Sequence, residues 1–97
     1  MASKNRLDGL KAKILPVLKK YDVKKASFFG SIVRGTFKKN SDIDILVELS
    51  DELSLFDFIG LKNDLEDVVK RKVDLVEFET IKKPLKTRIL AEQVAII

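Results

Sequence analysis

Residues 42–48, Asp42-Ile43-Asp44-Ile45-Leu46-Val47-Glu48, leave this chain little choice about what it can fold into. A short run so rich in β-branched residues favours an extended strand, and a strand turns successive side chains to opposite faces. Asp42 and Asp44 therefore share one face, while Ile43, Ile45 and Val47 share the other. The apolar face has to be covered by a core, and the acidic face brings two negative charges together.

The rest of the chain supplies that core in two alternating periods. Leu7, Leu10, Ile14, Leu15 and Leu18 fall on one face of a first helix, in which Gly9 and Pro16 predict a kink or a late start. Residues 26–29 form a short buried strand that ends at Gly30-Ser31, and a short helix follows as far as Gly35. Residues 36–41 are polar and basic and read as a loop. Ser54 with Asp57 three residues later opens a third helix in the manner of a capping box. Its stripe is Phe58, Leu61, Leu65 and Val68, running to about Lys70 with Gly60 as a weak point. Residues 73–78 predict a third strand, Pro84 the first position of a fourth helix, and residues 94–97 a last strand. Strands and helices thus alternate along the chain, the pattern of an α/β fold.

Ninety-seven residues suit one core, so residues 1–97 are expected to form a single domain. A net charge of +4, without long blocks of one sign, is mild for a nucleic-acid binder and by itself decides nothing, and direct nucleic-acid binding is not expected. There is no cysteine and no histidine, which removes thiolate chemistry, disulfides and the commonest zinc ligand and general base. Chemistry must rest on carboxylates, hydroxyls and cations. The longest uncharged run, residues 26–33, is far short of the ~20 residues that span a bilayer. With no signal-peptide pattern at the start, a cytoplasmic protein without a membrane partner is expected.

The most informative stretch is Gly30-Ser31-Ile32-Val33-Arg34-Gly35, followed by Asp42-Ile43-Asp44 with ten residues between Ser31 and Asp42. Two carboxylates held on one face of a strand raise each other's pKa, a cost that a hard divalent cation removes. The strand-to-helix turn at Gly30-Ser31 adds free N–H groups and a hydroxyl suited to phosphate. A phosphate cradle beside a metal-binding carboxylate pair is what nucleotidyl transfer requires. Two look-alikes fail on the same residues. A Walker A motif needs Lys where Thr36 stands, and an EF-hand needs a ligand and a glycine where Leu46 and Val47 stand.

This pattern, with Val73-Asp74-Leu75-Val76 downstream, resembles the polymerase-beta nucleotidyltransferase superfamily and, within it, the minimal nucleotidyltransferases that serve as antitoxins to HEPN-type ribonuclease toxins. The resemblance runs from the first helix to Ile97 and implies a small mixed β-sheet flanked by helices. It implies that Gly30 and Ser31 hold the β and γ phosphates of ATP, and that Arg34 matches the motif arginine at the nucleotide. Asp42 and Asp44 would ligate Mg2+, joined by Asp74 as the third carboxylate, which helps to activate the attacking hydroxyl. Val33 stands where the family often has Ala. The implied reaction is transfer of AMP from ATP to a tyrosine of the toxin. A non-catalytic antitoxin that only covers its toxin, and a transferase for a small molecule or an RNA end, stay open as alternatives.

Other conspicuous residues have structural readings. Phe28, Phe29, Phe56, Phe58 and Phe78 are expected in the core. Tyr21 is expected to pack at the end of the first helix, and Asp57, Asp64, Glu66 and Asp67 to form a solvated helix face. Lys38 and Lys39 could steer a triphosphate or simply be solvated.

Overall fold

The computed structural model describes residues 2–35 and 41–97, with side chains from Leu7 onward. Helix α1 (Ala2–Lys20) leads to strand β1 (Lys25–Phe29), the short helix α2 (Ser31–Arg34) and strand β2 (Ile43–Glu48). Helix α3 (Leu55–Val69), strand β3 (Val73–Glu77), a 3-10 turn (Phe78–Thr80), helix α4 (Lys83–Glu92) and strand β4 (Val94–Ala95) complete the chain. The sheet has the order β3-β2-β1-β4, with β1 antiparallel to both β2 and β4, and β2 parallel to β3. It is the small mixed sheet with flanking helices that the resemblance implies. No helix among the described residues is long and apolar enough to cross a membrane.

The alternation within β2 divides the molecule into two layers. Ile43, Ile45 and Val47 are fully buried and pack with Phe28 of β1, Val73 and Leu75 of β3, Ile14 and Leu18 of α1, and Leu61 and Leu65 of α3. On the other face Leu46 joins Ile81 and Ile89 in a smaller cluster with Phe29, Val76 and Phe78, beneath α4. Asp44 shares the parity of Leu46, and Asp74 that of Val76, so the carboxylates belong to the α4 side of the sheet.

Local chemistry explains most element boundaries. At α3, Ser54 Oγ accepts from the Asp57 N–H at 3.1 Å and Asp57 Oδ2 accepts from the Ser54 N–H at 3.0 Å, a complete capping box. The helix closes on Lys70 in the left-handed conformation. Gly60 makes room for Tyr21: a Cβ would stand 2.8 Å from the Tyr21 hydroxyl, which donates to Asp64 Oδ2 at 2.8 Å.

Several expectations need correction. Helix α1 has no late start, and Pro16 lies within it at an exposed position, as does Ala12, whose carbonyl it cannot serve. Strand β3 ends at Glu77 because the chain turns into the 3-10 segment at Phe78, β4 spans only two residues, and Pro84 takes the second helical position. Phe56 is 85% exposed rather than buried, with Leu55 and Ile59 exposed beside it. The acidic residues of α3 are not an idle solvated face. Asp57 caps, Asp64 binds Tyr21 and Lys20, and Glu66 Oε2 accepts from the Val73 N–H of edge strand β3 at 2.9 Å. Only Asp67 fits the expectation, in a loose pair with Lys70 at 3.9 Å. The loop expected over residues 36–41, with Lys38 and Lys39, lies outside the described residues except for Ser41.

Candidate active site

Phe29 ends β1, and the chain breaks direction at Gly30, whose φ of 76° and ψ of −149° form a combination open almost only to glycine. The position is constrained a second time, because a Cβ here would collide with Oδ2 of Asp44. Glycine is thus what lets the Asp44 carboxylate lie against the backbone of the turn. The Val33 and Arg34 N–H groups both donate to the Gly30 carbonyl at 3.1 Å, and α2 closes on left-handed Gly35, whose N–H donates to the Ser31 carbonyl. The amides that open such a turn have no acceptor within the helix.

The sheet register brings the acidic residues to this turn. Phe29 is opposite Asp44 across the β1–β2 pair, and Asp44 is opposite Asp74 across the β2–β3 pair. Asp42 stands exposed just before β2, Asp74 is exposed on β3, and Asp44 is half-buried between them. Burial, followed by the charges of Asp74 and Asp42, raises the Asp44 carboxyl to about 6, and Asp74 lies within hydrogen-bonding reach of it. The guanidinium of Arg34 acts in the opposite direction but does not offset them. Gly30, Ser31, Arg34, Asp42, Asp44 and Asp74, which the sequence singles out, therefore gather where β1 ends and β2 and β3 begin.

Hard oxygen donors pressed together at the expense of an ionisation suit a divalent cation, which would restore the charge on Asp44. Among the described residues no three acidic or other ligating side chains form a ready metal cage. Mg2+ takes water and phosphate oxygens as well as carboxylates, so the three aspartates need not close a cage around it by themselves. The geometry of the Gly30 cradle and the donor set both fit such an ion.

One participant is absent from the sequence reading. Glu92, the last residue of α4, accepts from the Gly30 N–H at 3.1 Å through Oε1 and from Arg34 Nη1 at 3.1 and 3.3 Å through its two oxygens. Sixty-two positions separate Glu92 from Gly30, and no local pattern could link them. The available signal is a carboxylate in the last turn of a helix, where the macrodipole disfavours it unless a donor is at hand.

Residues 12–97 match the family described as Polymerase beta, Nucleotidyltransferase. The chain belongs to this family. It is 45% identical over 91 residues to a Methanocaldococcus jannaschii protein with the provisional name of protein adenylyltransferase, a match covering 94% of this chain and 98% of the relative. It is also similar to a solved structure described provisionally as a minimal nucleotidyltransferase, with TM-score 0.82 and 27% identity over 93% of this chain and 92% of that one. A toxin–antitoxin complex solved with AMP-PNP contains a chain that superposes with TM-score 0.77 and 27% identity over 90% of this chain and 72% of its own length. As a nucleotidyltransferase, the chain is an enzyme of nucleotide chemistry on a polymerase-beta-like fold.

Proposed function

We propose that this nucleotidyltransferase is an antitoxin that transfers AMP from ATP to a tyrosine hydroxyl of a HEPN-type ribonuclease toxin, and that residues 1–97 act as one minimal domain. The observation that carries the reading is the register of Asp44 with Asp74 beside a turn that only glycine can make. The resemblance to adenylyltransferases and to a toxin–antitoxin complex holding an ATP analogue supports the donor and the class of partner. ATP as donor suits a cytoplasmic reaction, and the scheme requires no membrane and no direct contact with nucleic acid.

In this reading Gly30 and Ser31 seat the β and γ phosphates, and Arg34 adds a positive charge beside them. Asp42, Asp44 and Asp74 would hold Mg2+, which supplies charge neutralisation to the phosphates when bound. Asp74 also draws the proton from the attacking phenol. The phenolic oxygen forms a bond to the α-phosphorus, the bond from that phosphorus to the β-phosphate oxygen breaks, and pyrophosphate leaves. Fixed carboxylates and backbone dipoles suffice for this chemistry because it depends on positioning and charge rather than on a protein nucleophile.

Titration calorimetry with ATP in the presence and absence of Mg2+ tests the reading. Saturable binding that needs Mg2+ and is lost in Asp44→Asn is expected; no metal-dependent binding, either alone or with the toxin present, would contradict it. A second reading, neutralisation by covering the toxin without transfer, is favoured by the exposed Leu55, Phe56 and Ile59 of α3, which offer apolar surface to a partner.

A further inference from the structure

We infer that Glu92 is an internal stand-in for a nucleotide phosphate, which holds the triphosphate seat in shape when empty and competes with ATP for it. The inference rests on the proposed role of Gly30 and Arg34 in holding phosphate. The Glu92 carboxylate uses both donors that a phosphate would use at this end of the site: the Gly30 N–H at 3.1 Å and the Arg34 guanidinium at 3.1 and 3.3 Å. A carboxylate is planar and a phosphate tetrahedral, but both present anionic oxygens to the same amide and guanidinium donors, so one can replace the other.

Position and charge both argue against a purely structural tie. Glu92 ends α4, where the helix dipole opposes a negative side chain, and no basic residue lies in that last turn. The carboxylate is kept in place by groups from a distant turn, with 23% of its side chain still open to solvent and 50% of Arg34's. Water-accessible ion pairs of this kind exchange at little cost. The Asp44 carboxylate lies where a Cβ of Gly30 would be, so two carboxylates approach this one residue. A cation can satisfy Asp44, whereas nothing in the proposed reaction uses Glu92. When a triphosphate arrives, Glu92 has to give up both contacts and, because Val94 of β4 pairs with β1 only two residues later, it can do so by side-chain rotation without moving the sheet. When pyrophosphate leaves, the carboxylate returns to the same donors.

Glu92→Gln tests this, since the amide keeps the length of the side chain and an acceptor for the Gly30 N–H while removing the charge. Affinity for AMP-PNP with Mg2+, and for tripolyphosphate as a base-free probe, is expected to rise about fivefold to tenfold, with adenosine binding unmoved. Glu92→Ala should tighten the same two ligands, and circular dichroism with thermal unfolding establishes that each variant is folded. In the native protein the Gly30 amide resonance should shift on adding tripolyphosphate to the position it reaches in the nucleotide complex. Unchanged or weaker binding by folded variants, while the native protein binds AMP-PNP normally, overturns the inference and leaves the proposed function standing. Absence of AMP-PNP binding by the native protein and both variants, alone and with the toxin, overturns the phosphate seat itself and this inference with it.

Discussion

Asp44 is the residue at which function opposes stability. Its carboxyl is raised to about 6 from an ordinary 3.8, first by burial and then by Asp74 and Asp42, so the folded chain holds this proton more tightly than the unfolded chain does. The stabilisation that this proton supplies is fully present below about pH 4 and is lost as the pH rises through 6. Asp44→Asn, which carries no such charge, should therefore unfold at higher denaturant than the native protein at pH 7.5, by about 1–2 kcal/mol after allowance for solvent screening, and the gain should vanish near pH 4. Equal stability of the two proteins across that range would contradict the assignment. Gly30→Ala meets two obstacles at once, an unfavourable positive φ and the Asp44 carboxylate, and should lose about 1–3 kcal/mol together with nucleotide binding. Thermal unfolding and calorimetry of that variant read both effects. These residues were legible in the sequence because Gly30-Ser31 and the Asp42–Asp44 alternation are local patterns. Glu92 was not, since its partners are brought to it only by the folded sheet.

Helix α3 shows how far sequence patterns reach at the scale of an element. Ser54 and Asp57 signal its start, and the observed cap makes both reciprocal hydrogen bonds. Ser54→Ala should lower stability by about 1 kcal/mol, and hence the midpoint by about 4–8 °C, with nucleotide affinity unchanged. An unaltered melting curve would mean that the cap adds nothing. The stripe Phe58, Leu61, Leu65 and Val68 does face the core. Phe56 is exposed for a reason the sequence contains: two residues from Phe58 is about 200° around the helix, so it cannot share that stripe. The role of Glu66 is not local, since accepting from the Val73 amide depends on β3 being an edge strand, and strand order is not written in any local run of residues. The ends of β3 and β4 were overextended because apolar composition continues past the point where pairing stops.

For the whole molecule, the order β3-β2-β1-β4 matters more than any single element, because it sets Asp74, Asp44 and Gly30 side by side on the face that α4 only partly covers. The sequence gives the elements and the acidic face of β2, and the family resemblance supplies the mixed sheet; the parallel pairing of β2 with β3 aligns the two aspartates. The outer side of α3 remains apolar and open at Leu55, Phe56 and Ile59, so the proposed scheme predicts that mutation can separate partner binding from AMP transfer. The double variant Asp42→Asn, Asp44→Asn keeps side-chain size and that surface while removing two charges from the site. The decisive measurement is the intact mass of the HEPN-type toxin after co-expression with the native protein and with this variant, alongside a pull-down and a growth assay. Catalysis predicts that the native protein adds the mass of AMP to the toxin, and that the variant still binds the toxin but leaves it unmodified and the cells arrested. If the toxin stays unmodified with both proteins while both protect the cells equally, transfer is not the mechanism and the account is wrong.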